Sequence, residues 1–299
     1  MQPARALTLA TCLFAATALT AGQATATDID LPPPMPAPPA PAAEPPVRDH
    51  VPKPVEAFQP HRIVYKLEQV SLSNSATIRR ASGKMFFEWA DVCDAWTTTQ
   101  KVQITYVYND GQTVPISSDY ESWESKDGAS YAFSVQELEK NSFTDKVRGR
   151  ADRKLDTSGQ ATYHLPANLS HRLPRDFKFP AAHTFEVLRK SAAGERFFSS
   201  TLFDGSDEEG PVLVNAVIGP VDARLSTVAS LPDNELANSP ARKVRLAFYA
   251  PDDHNATPQY EMSVVLHDNG MVSDMLIDYP EFSIHAVPED VVALPDSGC

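Results

Sequence analysis

From His61 onward the chain alternates apolar and polar residues with a period of two, and this restricts its fold more than any other feature. In the first such run Ile63, Tyr65 and Leu67 stand against Arg62, Lys66 and Glu68. Successive side chains of a strand point to opposite faces, so the alternation buries one face and wets the other. Met85 to Trp89, Trp96 to Tyr108, Thr113 to Trp123 and Ser130 to Val135 repeat the pattern. Further strands are expected at Phe143 to Leu155, Gln160 to Leu165, Arg196 to Phe203, Val212 to Val217, Val244 to Tyr249 and Tyr260 to Leu266. Val272 to Ile284 reads as one returning strand. Asn109-Asp110-Gly111, Lys126-Asp127-Gly128 and Asp268-Asn269-Gly270 separate the runs, and such residues suit tight hairpin turns.

About ten to fourteen strands at short spacing predict a mainly β fold, one large antiparallel sheet curled into an open barrel or spiral. A curled sheet needs its concave face covered, and one or two helices are available. Pro180 to about Ala193 places Phe185, Leu188 and Ala192 on one face, with Pro180 in the first turn and Gly194 at the stop. A second, shorter helix is expected from Pro288 to about Leu294.

Before His61 the chain is of another kind. Met1 to Arg5 is short and basic, Ala6 to Ala21 is apolar and uncharged, and Ala24-Thr25-Ala26 supplies the small residues of a cleavage site. Residues 1–26 therefore read as a signal peptide. The run falls short of the roughly 20 residues that a membrane-spanning helix needs, so the chain is not expected to be an integral membrane protein. Cys12 lies in the middle of the run and follows Thr11, which argues against a lipidated cysteine. Residues 27–60 are dominated by Pro and Ala, with Pro32-Pro33-Pro34, Pro38-Pro39 and Pro45-Pro46, and read as an extended, disordered linker. Residues 61–299 read as the single folded domain, exported once the signal is removed.

Cleavage near Ala26 removes Cys12, leaving Cys93 and Cys299 of the three cysteines. In an oxidising compartment two cysteines read as one disulfide, the other reading being two unpaired thiols. The net charge of −13, without a Lys/Arg-rich block, makes nucleic acid a poor partner.

Recognisable catalytic chemistry is not found. There is no G-x-S-x-G elbow, phosphate-binding glycine loop, H-E-x-x-H or paired C-x-x-C, so the chain is not expected to be an enzyme. The eight histidines are scattered singly; His61 and His183 read as boundary or surface residues, and no metal site or cofactor is expected. The acidic run from Asp204 to Gly210 lacks the ligand spacing of the usual calcium loop and reads as a solvated turn. More informative are Trp89, Trp96, Tyr106, Tyr108, Tyr120 and Trp123, which crowd the first half of the sheet. Most should fill the core. Those left on a concave face would line an apolar groove for an acyl chain or an apolar segment of a partner.

Several segments in order carry a family resemblance: His61-Arg62, Gly83-Lys84-Met85, Trp89-Ala90-Asp91-Val92-Cys93-Asp94-Ala95-Trp96-Thr97 and Asp119-Tyr120-Glu121-Ser122-Trp123. Leu202-Phe203-Asp204-Gly205-Ser206, Val217-Ile218-Gly219, Asp268-Asn269-Gly270 and Leu294-Pro295 before Cys299 continue the series. Together they resemble the EipB family of periplasmic cell-envelope integrity proteins. The resemblance implies a β-spiral around helical elements, similar to lipoprotein-carrier folds, and a disulfide between Cys93 and Cys299. It also implies a non-enzymatic role in envelope integrity and stress resistance, in association with a periplasmic tetratricopeptide-repeat protein. Binding of a lipid or lipoprotein acyl chain in the concave face is the alternative.

Overall fold

The computed structural model describes residues 57–139, 142–225, 228, 231, 234–250 and 257–298. The expected signal peptide, most of the expected linker, Cys12 and Cys299 lie outside the described residues.

The strands expected from the alternation are present. The first meander comprises β1 (His61–Leu72), β2 (Ile78–Asp91), β3 (Ala95–Tyr108), β4 (Thr113–Ser125), β5 (Ser130–Glu139), β6 (Ser142–Arg153), β7 (Gly159–Leu165) and β8 (Ser170–Leu173). The single α-helix among the described residues, α1 (Pro180–Ala192), follows. The second meander is β9 (Phe197–Leu202), β10 (Val212–Val221), β11 (Ala241–Tyr249), β12 (Tyr260–His267), β13 (Val272–Asp278) and β14 (Phe282–Ala293). Short 3-10 turns at Ala223–Leu225 and Glu235–Asn238 lie between β10 and β11.

All 14 strands form one antiparallel sheet in the order β8-β7-β6-β5-β4-β3-β2-β1-β14-β13-β12-β11-β10-β9. The two meanders are therefore joined in the middle by β1 and β14, and the sheet stays open between β8 and β9. The β9 edge is not left wholly bare. Lys178, just before α1, forms a parallel bridge with Leu202 of β9, donating its N–H to the Thr201 carbonyl and accepting from the Phe203 N–H. Beside β8, His171 Nε2 lies 2.7 Å from the Glu208 carbonyl, and Tyr163 donates its hydroxyl to the Asp207 carbonyl at 2.8 Å. Exposed edges template further pairing, and the Lys178 bridge occupies part of the β9 edge.

Two expectations are corrected. Pro288 to Leu294 is not a helix but the last stretch of β14. The ladder with β1 steps from Val64 opposite Asp290 to Tyr65 opposite Pro288, so Glu289 is the extra residue of a bulge. A bulge is where a strand accommodates proline, which has no N–H to donate. Val272 to Ile284 is likewise not one strand, because the chain reverses between β13 and β14. The Tyr279 N–H closes that turn on the Phe282 carbonyl at 2.9 Å.

The alternation sorts the side chains as expected in β1, where His61, Ile63, Tyr65 and Leu67 are buried and Arg62, Lys66 and Glu68 exposed. The curled sheet encloses two large apolar clusters. One is built by β1–β4, β9–β14 and α1, and the other by β4–β8 with Phe177, Phe179 and Phe203. A smaller cluster of Trp89, Trp96, Ala181 and Phe185 ties α1 to the sheet, and Phe58 packs against it. The packed body thus already includes Phe58, ahead of the first strand. Gly270 is required here: its φ is +88°, and a Cβ would come within 2.7 Å of the Phe58 ring.

The helix is more deeply buried than one apolar face implies. Ala181, Ala182, His183, Phe185, Val187 and Leu188 are all buried, whereas Ala192, expected on the same face, is exposed. Its first two turns therefore sit inside the sheet and only its last turn reaches water.

Candidate functional site

Five of the six aromatics singled out in the sequence point inward, and they do not form one groove. Trp89 and Trp96 join the cluster around Phe185, with ring centroids 5.3 Å and 5.5 Å from that ring. Tyr106 belongs to the larger core, 6.2 Å from Phe282, with Tyr108 partly buried beside the same core. Tyr120 lies in the second cluster. Trp123 is out of phase with its buried neighbours in β4; it falls in register with the exposed Asp119 and Glu121, on the outer face.

The inward space that remains is a cavity of about 120 Å³ between the first turns of α1 and the sheet. Trp89 and Tyr120 are the two predicted aromatics that line it, together with Met85 from the strand of Trp89 and Val244, Leu246 and Met262 from distant strands. His61, Gln100, His183 and Asp204 add polar groups to the wall. The two histidines are not surface residues, although His61 does open β1 as expected: they are 1% and 2% exposed. Burial lowers each to about 4, so both rings are neutral at physiological pH. His61 Nδ1 lies 2.7 Å from the Gln59 carbonyl, a partner in the chain just before the first strand.

Asp204 was the least legible of these residues. In sequence it opens an acidic, turn-like run, but the chain folds it inward. Tyr120 and Tyr131 both direct their hydroxyls at its carbonyl, at 3.1 and 2.9 Å. The side chain is 5% exposed; Oδ1 accepts the Ser206 N–H at 3.0 Å, while Oδ2 has no hydrogen-bond partner. Burial, and then the charge of Asp207, push the carboxyl up to about 7. Gly205 follows with φ +64° and the Phe133 ring against it, where a Cβ would lie 2.3 Å away. The rest of the run behaves as a turn, with Asp207 Oδ1 accepting the Glu209 N–H at 2.7 Å.

A second buried carboxylate explains how α1 is held. The helix N-cap, Phe179, offers no side-chain acceptor. Glu124 of β4 reaches across instead, accepting the Ala181 N–H at 2.7 Å and the Ala182 N–H at 2.9 Å. First-turn amides lack partners within a helix, and a carboxylate there also meets the positive end of the helix dipole.

Cys93 sits in the β2–β3 turn at φ 70°, its N–H donated to Asp91 Oδ1 at 3.0 Å. The same oxygen accepts Lys126 Nζ at 2.6 Å and the Ser297 hydroxyl at 3.0 Å. Among the described residues no three His, Cys, Asp or Glu side chains are grouped to hold a metal, and no helix is long and apolar enough to cross a membrane.

The EipB-like family model matches residues 52–295, which includes the whole sheet and the helix. The chain belongs to the EipB-like family. Among its relatives is the cell envelope integrity protein EipB of Brucella abortus (strain 2308), 25% identical over 235 residues, covering 75% of this chain and 80% of the relative. A beta-barrel-like protein of a domain of unknown function, also from Brucella abortus, has a solved crystal structure with the same fold. It superposes with a TM-score of 0.75 at 22% identity, over 80% of this chain and 99% of that one. In this chain the open sheet is filled by α1, and the site it offers is small and interior.

Proposed function

We propose that this EipB-like chain is a non-enzymatic periplasmic protein that maintains cell-envelope integrity through contacts of its outer surface with another envelope protein. The observation that carries the reading is that the concave side of the sheet is occupied by the protein itself. Phe185 and the first turns of α1 fill it. The remaining 120 Å³ compares with the 150 Å³ engineered cavity that holds benzene, and so accommodates about five non-hydrogen atoms. An acyl chain of lipid length does not fit unless α1 leaves, which weighs against the carrier alternative. A tetratricopeptide-repeat protein remains the partner class to test. Deleting the gene is expected to sensitise cells to detergents and cell-wall antibiotics, with rescue by the wild-type copy; unchanged plating on both would overturn the envelope role.

Export and a Cys93–Cys299 disulfide complete the reading. Ser297, two positions before Cys299, is hydrogen-bonded to Asp91, which also holds the Cys93 turn. Alkylation and intact mass of the periplasmic protein are expected to show cleavage near Ala26 and no free thiol without reductant. Cys93→Ser should cost about 2–4 kcal/mol, typical for a bond closing a long loop. Two alkylated thiols in the unreduced protein would remove the disulfide from the account.

A further inference from the structure

The two ends of the sheet are finished differently. β8 has four residues, among them His171 and Arg172, and Pro174 follows it. Shortness, charge and proline all keep an edge from pairing. β9 has six residues, Phe197 to Leu202, with no charge, no proline and no bulge in its ladder. Its backbone directions follow from that ladder. Ile218 donates its N–H to the Arg196 carbonyl at 2.8 Å, so Arg196, Phe198 and Ser200 turn toward β10, and Phe197, Ser199 and Thr201 turn away. Lys178 takes the Thr201 carbonyl, at one end only. The N–H and C=O groups of Phe197 and Ser199 have no hydrogen-bond partner among the described residues. Both side chains are exposed, Phe197 by 60%, and Phe197 stands opposite Val217 of β10, itself 52% exposed. A strand laid along this edge therefore gains backbone bonds and an aromatic neighbour for one of its side chains.

Charge selects the occupant. Arg196 is exposed where β9 begins, and Lys178 lies beside its other end. Glu195, next in sequence to Arg196, is paired with Lys190 instead, at 2.8 Å. A second copy of β9, paired antiparallel about Ser199, would bring Arg196 of one chain toward Lys178 of the other, cation against cation. We propose that β9 from Phe197 to Thr201 is a strand-addition site for an extended segment of another envelope protein, which sets an apolar side chain against Phe197 and carboxylates toward Arg196 and Lys178. The site rests on the envelope role proposed above and names the surface that carries it.

The test uses the full-length chain in the gene-deletion strain. Ser199→Pro removes an N–H that points away from β10, a position where an edge strand tolerates proline. It is expected to keep the wild-type urea midpoint and to lose the rescue of plating on detergent. Ser170→Pro, the matching change on the β8 edge, should rescue. Phe197→p-benzoylphenylalanine, irradiated in living cells, is expected to give one discrete adduct that disappears when Ser199→Pro is added. The double variant Lys178→Glu with Arg196→Glu keeps the backbone edge and should weaken both rescue and adduct, which keeps the test decisive if Ser199→Pro does not fold. Rescue by a folded Ser199→Pro, no adduct, an adduct that survives the proline, or one of twice the chain mass would overturn the site and leave the envelope role standing. A deletion without phenotype would instead remove that role, and the site with it.

Discussion

Phe185→Ala is expected to destabilise the protein by about 3–5 kcal/mol, the usual cost of removing a buried aromatic ring. The ring is fully buried and meets Phe58, Trp89 and Trp96 at centroid distances of 5.1, 5.3 and 5.5 Å. Those partners come from the segment before β1, from β2 and from β3, so no single side chain can collapse into the vacated space. A void lined by rigid rings keeps its full penalty, because the surroundings relax little. Urea unfolding followed by tryptophan fluorescence reads the effect directly, since two of the three tryptophans border the ring. Leu155→Ala is the control, at a side chain 94% exposed, and should change stability by less than about 0.5 kcal/mol. A cost for Phe185→Ala near that of the control would mean that α1 is not seated as described.

Glu124→Ala is the second large effect, expected at roughly 2–5 kcal/mol, because it strands two buried amides at about 1–3 kcal/mol each. Glu124→Gln retains one acceptor and should fall between Ala and wild type. The two variants also separate capping from charge. Burial raises the Glu124 carboxyl from its ordinary 4.5 to about 7, against the pull of the two amides. Between these values the folded state keeps a proton that the unfolded state has released. The stability from this group is therefore full below about pH 4.5 and is lost as pH rises through about 7. The advantage of wild type over Glu124→Gln should accordingly be greater at pH 5 than at pH 8, by up to about 3 kcal/mol. His61 and His183, lowered to about 4, act in the opposite direction between about pH 4 and 6.5. They are common to both proteins and cancel in the difference. Equal differences at the two pH values would show that the carboxyl does not titrate in this window.

How much of this was legible in the sequence depended on whether the signal was local. The alternation of β1 and the proline opening α1 are local, and both gave the right element. Pro288 misled because proline suits a helix start as well as a strand bulge, and only the pairing of β14 with β1 distinguishes them. Trp123 was counted with Tyr120 although they lie three residues apart in a strand and so face opposite ways; parity alone separates them. Glu124, in phase with Tyr120, was passed over because a glutamate near the end of a strand reads as solvent-facing. Its burial depends on a helix that begins 56 residues later. Phe58 was assigned to the Pro/Ala-rich linker by composition, and its pocket is formed by Trp89, Trp96 and Phe185 from elsewhere. His61, His183 and Asp204 share that origin, since nothing adjacent to them in sequence announces that they are enclosed.

The pairing of β1 with β14 gives the molecule a particular order of assembly. Every other ladder in the sheet joins strands that are neighbours along the chain, whereas this one joins His61 to Ala293. Each meander can zip from its own hairpins, but the central joint waits for the last strand and must close a loop of more than 200 residues. Long-range pairing of this kind slows folding. Until it closes, β1 and β14 are each paired on one side only, and their free edges, on strands carrying Ile and Val, are ready to pair with another copy. The interval between completing the two halves and joining them is thus when the chain is most exposed to aggregation, and the joint itself, once made, leaves the centre of the sheet without an edge.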